Sequence, residues 1–225
     1  MANASLALVV VTVLIAGVGP VAAQDRQTDP AVVVDLDESG TADVTVVMTF
    51  DLTADAEREA FATLRTDEAA LADLETRFAD RMDATASATA DRVDRDVVAR
   101  DASVTLDTVD GGDTGIATLS VTMENLAGVD DGQLTLTEPF ASGFTADRPL
   151  VVHPPNGYTL GSGDPAPTGQ STDTLTWGAD TTFDGFELVL EAEDGETATA
   201  TPGFGILAGA VALTGTALLG RQRRH

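Results

Sequence analysis

Apolar residues at every second position are the feature that most restricts what this chain can fold into. They recur over residues 32–36 and again over residues 44–52, on either side of Glu38, Ser39 and Gly40. A period of two is that of a β-strand with one buried face, and the three residues between the runs are typical of a turn. The pattern predicts an antiparallel β-hairpin.

A helical period replaces the alternation after this hairpin. Thr53 can cap a first helix whose first turn holds Asp55 and Glu57, which the positive end of the helix dipole favours. Thr66 can cap a second, longer helix. Its apolar stripe consists of Leu71, Leu74, Phe78, Met82 and Val93. Such a stripe predicts an amphipathic helix that packs on a sheet.

The period of two returns in the second half of the chain. Alternation resumes at Val104 and Leu106 and continues over residues 117–123. A tight turn is predicted between these runs, at residues 110–113. Shorter candidate strands are Gln133–Thr137, Leu150–His153, Thr174–Trp177 and Phe186–Leu190, and Trp177 is expected to fill one end of the core. Seven or eight strands with a helical pair after the first hairpin predict an α+β fold, either a mostly antiparallel sheet or a sandwich.

The charge of the chain excludes several classes of partner. Residues 24–201 hold all 37 acidic residues and nine arginines, a net charge of −28. Nucleic acids and anionic membrane surfaces are bound by basic patches, so both are excluded. The absence of cysteine excludes disulfides and thiolate chemistry. Repulsion among these carboxylates is screened at about 1 M salt, where the Debye length is roughly 3 Å.

The first 23 residues differ from the acidic middle. An uncharged apolar run from Leu6 ends at Gly19-Pro20, and small residues precede the polar Gln24. This pattern predicts a signal peptide over residues 1–23, cleaved between Ala23 and Gln24. The n-region carries no lysine or arginine, so an uncleaved N-terminal anchor is the alternative.

The last 24 residues form a second uncharged segment with a basic end. The apolar run from Ile206 to Leu219 predicts a short transmembrane helix. Arg221, Arg223 and Arg224 follow it and would hold that end in the cytoplasm by the positive-inside rule. The acidic residues 24–201 would then lie outside the cell.

Two resemblances refine this reading. The acidic, lysine-free composition resembles that of extreme halophiles, above all haloarchaea. The alternative is that the acidity has another role, such as that of an acidic tail. Pro202, Gly203 and Phe204, followed by the apolar segment and the arginines, resemble the PGF-type C-terminal sorting signal of haloarchaeal surface proteins. The resemblance implies that an archaeosortase removes the tail and leaves the protein lipid-anchored. A plain single-pass anchor is the alternative.

Together these features divide the chain into four parts. Residues 1–23 are the predicted signal peptide, 24–195 an acidic α+β ectodomain, 196–201 a threonine-rich stalk and 202–225 the sorting signal with its transmembrane helix and arginine tail. Residues 152–177 bear a weak similarity to uncharacterised haloarchaeal surface ectodomains, which carry no established activity.

The candidate chemical sites are weak. Asp35 to Gly40 mimics half of a calcium loop, but the twelfth position is Val46 where glutamate is required, so a hairpin turn is favoured. The acidic turns at 110–113 and 128–132 are read in the same way. His153 is the one histidine that a Ser-His-Asp triad in the ectodomain could use, and beside two prolines it reads as structural or exposed.

We therefore expect no catalytic, cofactor or metal site. The expected function is that of an exported, membrane- or lipid-anchored surface protein with a structural or binding ectodomain, whose partner the sequence does not identify. The alternative is a surface hydrolase that uses carboxylates or bound calcium. A buried pair of acids in a cleft would favour the hydrolase, and a filled core with acids only on the surface would count against it.

Overall fold

The computed structural model describes residues 28–142 and 147–193. Within these ranges it has two helices, eleven strands and a 3-10 turn at Asp110–Gly112. In chain order, the elements are β1 Ala31–Leu36, β2 Ala42–Asp51, α1 Asp55–Thr66, α2 Glu68–Val93, β3 Val98–Val109, β4 Thr114–Glu124, β5 Gly128–Asp130, β6 Gln133–Leu136, β7 Leu150–His153, β8 Tyr158–Asp164, β9 Gly169–Gln170, β10 Leu175–Trp177 and β11 Glu187–Ala192.

The strands form two sheets. The seven-stranded sheet has the order β3-β4-β2-β1-β7-β10-β9, and the four-stranded sheet has the order β5-β6-β11-β8. In the large sheet β1 and β7 are parallel, and every other neighbouring pair in both sheets is antiparallel. The predicted α+β class and the helical pair after the first hairpin are both confirmed.

Three strands are absent from the prediction of seven or eight. β5 is three residues long and β9 only two, too short to show a period. β8 contains Gly161 and Gly163 and lies at the edge of its sheet, beside the cis Asp164–Pro165 bond. Glycine and proline hide strand character in a sequence, because both are typical of turns.

Both predicted helix caps were wrong. Thr53 donates its backbone N–H and its hydroxyl to Asp51 Oδ1 (2.9 and 2.6 Å), and Ala54 is the N-cap of α1. Thr66 is the last residue of α1, where its hydroxyl donates to the Ala62 carbonyl. Asp67 is the N-cap of α2 and accepts from the backbone N–H groups of the two alanines at 69 and 70.

The core is one continuous cluster drawn from both sheets and from α2. The large sheet contributes one face of its strands, and the small sheet contributes alternate residues of β6 and β11, such as Leu134 and Leu188. Phe78 of the predicted stripe is buried, with Leu71, Leu74, Met82 and Val93 partly buried against the cluster. The amphipathic reading of α2 is confirmed.

Trp177 lies where the sequence predicts it. Its side chain is fully buried, and its indole N–H donates to the Pro165 carbonyl over 2.7 Å. Its ring meets that of Phe186 edge to face at a centroid distance of 5.4 Å, and Phe183 packs against the Phe186 ring at 5.5 Å. Such pairs add to the hydrophobic stabilisation of the core.

Thr89 of α2 offers a direct test of this packing. It is 1% exposed, and its hydroxyl has no hydrogen-bond partner within the described ranges. An unsatisfied buried hydroxyl is destabilising, so Thr89→Val should raise the free energy of unfolding by about 1 kcal/mol, measured from the denaturant midpoint. The matched control is Thr85→Val, whose lost hydroxyl donates to the Arg81 carbonyl (2.9 Å), and which should give a small loss. A destabilised Thr89→Val variant would contradict the prediction.

Candidate functional site

The face of the large sheet that points away from the core is polar at one end. On β4 the residues Ala117, Leu119, Val121 and Met123 belong to the core, so the alternate residues Thr118, Ser120 and Thr122 lie on the opposite face. Strand pairing carries this face across β2, β1 and β7. Polar side chains cluster at the end of this face near the β1–β2 turn, whereas Val33, Val47 and Ile116 on the same face are buried.

Five side chains form a row across this polar face. The registers place Arg100 of β3 opposite Thr122 of β4, Thr122 opposite Asp43 of β2, Asp43 opposite Asp35 of β1, and Asp35 beside His153 of β7. Thr122 donates its hydroxyl to Asp43 Oδ1 over 2.7 Å. Two carboxylates directly opposite one another repel, and their neighbours Thr122 and His153 are placed to offset this repulsion.

The best-defined contact of the row joins His153 and Asp35. His153 Nδ1 lies 2.6 Å from Asp35 Oδ1, with side-chain exposures of 39% and 27%. The hydrogen bond to Asp35 raises the pKa of His153, burial opposes this, and the charges of Asp35 and Asp173 raise the pKa further. A hydrogen bond from the Ser171 hydroxyl holds the pKa of Asp173 below its usual value. The carboxylates around His153 therefore favour the protonated form of its imidazole.

A depression of about 310 Å³ lies beside this pair. Its polar lining consists of Asp35, Asp43, Thr45, Asp101, Ser120 and Thr122. The Thr45 and Ser120 hydroxyls, which line it, lie 3.2 Å apart and share a hydrogen bond. The depression offers mainly carboxylate and hydroxyl oxygens to a ligand, and Val121 is its one apolar lining residue.

The geometry does not assemble a Ser-His-Asp triad from Ser120. β4 and β7 are separated by β2 and β1, and three interstrand steps of about 4.8 Å place Ser120 roughly 14 Å from His153. A nucleophile and its base must lie within hydrogen-bond reach, so this serine and this histidine cannot act together.

The turns considered as calcium loops are turns. Residues 37–41 join β1 and β2, and Asp37 Oδ1 accepts from the Ser39 N–H, the Ser39 hydroxyl and the Thr41 N–H at 2.8, 2.6 and 3.0 Å. Residues 110–113 turn between β3 and β4. Residues 128–130 are strand β5, so only 131 and 132 turn, which corrects that reading. Residues 28–142 and 147–193 hold no group of three or more histidines or acids placed to bind a metal ion.

Sequence reasoning missed the His153–Asp35 pair. It treated Asp35 as part of a turn and His153 as an isolated side chain, since 118 residues separate them. The available signal was positional: each is a polar residue that directly follows a run of valines in its strand. Nothing local indicates that these two runs are neighbours.

The fold and this face define an acidic α+β domain with a polar patch at one end of its large sheet. Residues 33–158 match the family described as "Domain of unknown function (DUF7345)". The match spans 126 of the 225 residues, so the chain belongs to this family. No curated protein sequence matches the chain.

A second match lies at the C-terminus. Residues 201–223 match the PGF-CTERM motif, which supports the sorting signal expected from Pro202, Gly203 and Phe204 and marks a cell-surface, membrane-anchored protein. These residues, the arginine tail and the cleavage site at Ala23 and Gln24 lie outside the described ranges. In the described part of the chain no helix is both long and apolar enough to cross a membrane.

Proposed function

We propose that this chain is an exported haloarchaeal surface protein whose anchored ectodomain has a structural or binding role without catalysis. The observation that carries the proposal is the PGF-CTERM motif at residues 201–223, at the end of a chain whose acidic domain precedes it. The motif supports a route in which an archaeosortase-type enzyme acts on Pro202, Gly203 and Phe204 and a lipid takes the place of the C-terminal helix.

The distribution of charge supports a non-enzymatic ectodomain. Thr89 is the one buried polar residue within residues 28–142 and 147–193, so the acids described there lie at least partly in solvent. A glycosidase or related hydrolase raises the pKa of one carboxyl by burying it. Acids that cover a filled core instead favour a solvated surface, as a protein in concentrated salt requires.

The polar face supports a binding role for this ectodomain. Hydroxyl groups of β2 and β4 and the carboxylates of Asp35 and Asp43 lie side by side on strands of one sheet. Strands hold side chains at fixed spacing, which suits recognition of a partner with regularly spaced hydrogen-bonding groups. We place the contact surface of the ectodomain on this face.

Intact-mass analysis of the protein recovered from membranes tests the anchoring route. We expect loss of residues 1–23 and of the segment after the motif, with an added lipid mass. The variant Gly203→Ala should retain residues 205–225, because the recognised motif is changed, whereas Thr199→Ala in the stalk should be processed normally. Retention of residues 205–225 in the unchanged protein would overturn the sorting proposal, and retention of residues 1–23 would overturn the signal peptide.

A further inference from the structure

One seam joins the two parts of the large sheet. Strands β1 to β4 come from residues 31–124, and β7, β9 and β10 come from residues 150–177. They meet at the β1–β7 seam, defined as Val32–Asp35 against Leu150–His153, which is the parallel pairing of the sheet. A backbone hydrogen bond from Val32 N–H to the Pro149 carbonyl (2.9 Å) lies at its other end.

The His153–Asp35 contact lies on the last register pair of this seam. It is a side-chain link between the two strands, 2.6 Å long and partly shielded from water. The seam has only four register pairs, and parallel pairing is slightly less stable per residue than antiparallel pairing. The charged hydrogen bond at its end adds to the burial of Val34, Leu150 and Val152, which holds the two strands together along the rest of the seam.

We propose that His153 and Asp35 form a pH-sensitive latch on the β1–β7 seam, which is closed when the imidazole is protonated and loosened when it is neutral. The proposal rests on the fold alone and stands whether or not the ectodomain binds a partner. When closed, the latch fixes Asp35 at one side of the depression. When open, it releases the β7 end of the polar face.

The charges around the latch set its direction. Asp35 faces His153 from β1, Asp43 lies opposite Asp35 on β2, and Asp173 approaches from the segment before β10. Arg100 lies at the far end of the row and pairs with Glu124, Nε to Oε1 2.7 Å. Loss of the imidazolium charge leaves the opposed carboxylates of Asp35 and Asp43 without that neighbouring cation, so their repulsion rises.

The pH range follows from the sign of the shift. The pKa of His153 is raised in the folded state above its ordinary 6.5, first by the hydrogen bond to Asp35. A raised pKa means that the stabilisation is fully present below pH about 6.5 and is lost as the pH rises through the folded-state pKa. The amides of the seam should therefore be better protected against hydrogen exchange in mildly acidic than in mildly alkaline solution.

Amide hydrogen exchange of the membrane-recovered protein, at constant high salt and corrected for intrinsic rates, tests the latch. Between about pH 6 and pH 9 the protection of β7 and β10 amides should fall roughly three- to tenfold, since the pair is charged but partly exposed. Protection of β3 and β4 should not change with it. Seam protection that is independent of pH would overturn the proposal.

Variants separate the latch from a merely structural pair. His153→Gln and Asp35→Asn should both remove the pH dependence of seam protection. Asp173→Asn should keep it but move its midpoint to lower pH, because one charge that favours the imidazolium is gone. Asp107→Asn, an exposed acid on β3, is the matched control and should behave as the unchanged protein.

A direct titration covers the case in which the His153 variants fail to fold. The imidazole resonance of His153 in the unchanged protein should titrate with a midpoint above 6.5, and Asp173→Asn should lower that midpoint. A midpoint at or below 6.5 would overturn the latch. So would an unchanged pH dependence of the seam in a folded His153→Gln variant.

Discussion

Replacing Gly40 by alanine is expected to destabilise the domain by roughly 3 kcal/mol or more. Gly40 has φ +81°, and a Cβ built there would lie 2.4 Å from the Ala127 carbonyl oxygen. The left-handed backbone costs an L-residue about 1–2 kcal/mol, and forcing an atom against a fixed main chain adds about 1–3 kcal/mol. The collision cannot be relieved by a rotamer change, because the oxygen belongs to the backbone.

The same contact makes Gly40 a joint between the two sheets. Its carbonyl accepts from the Ala127 N–H over 2.9 Å, so the β1–β2 turn is bonded to the segment that leads from β4 into β5. A methyl group at this position would push the turn away from that segment and weaken the hydrogen bond. The loss should therefore exceed what backbone strain alone would give.

Gly111→Ala is the matched control for Gly40→Ala. Gly111 also has a positive φ, +71°, but a Cβ there meets no atom within 4 Å. It should cost only about 1–2 kcal/mol, the strain of the left-handed backbone. Denaturant unfolding of both variants at the same high salt measures the difference. Equal losses in the two variants would show that the approach to Ala127 is not tight in solution.

Local patterns predicted the elements whose signal lies within their own residues. The hairpin, the amphipathic α2 and the burial of Trp177 each follow from a period or from a single large apolar side chain. Helix boundaries were less accessible, since Thr66 and Asp67 are both good caps. The structure uses Asp67, whose carboxylate reaches two N–H groups, while the Thr66 hydroxyl bonds back into α1.

The site could not be predicted because it depends on which strands are neighbours. β1 and β7 pair across more than a hundred residues, and nothing in either strand identifies the other as its partner. Asp35 and His153 were both noticed in the sequence, but as a turn residue and a lone histidine. Pairing gave them a 2.6 Å contact and brought Asp43 and Thr122 into the same row.

Transfer to low salt is expected to unfold the ectodomain. Residues 24–201 carry a net charge of −28, and many of the acids are close neighbours on strands or helices, as Asp35 and Asp43 are. At about 0.15 M salt the Debye length is roughly 8 Å, longer than the separation of cross-strand neighbours, so their repulsion is only partly screened. At about 1 M it falls to roughly 3 Å and the repulsion is largely screened.

Trp177 reports this transition, because it is the single tryptophan and is fully buried in the described fold. Its emission should shift to the red, cooperatively, as salt is lowered from about 2 M to 0.1 M. Sucrose strengthens burial by exclusion from the surface but does not screen charge, so it should replace salt poorly. An unshifted emission at low salt, or full rescue by sucrose, would refute charge repulsion as the cause.

Charge variants on the exposed side of α2 show in which direction charge shifts the midpoint of the salt-dependent unfolding. Asp80→Asn combined with Asp83→Asn removes two exposed acids and should lower the salt concentration at the midpoint. Arg81→Gln, between them on the same helix, removes an exposed cation and should raise it. All three substitutions replace a charged side chain by an amide at solvent-exposed helix positions, where packing changes little, so opposite shifts isolate the electrostatic contribution. Shifts in the same direction would indicate that helix propensity, and not charge, controls the midpoint.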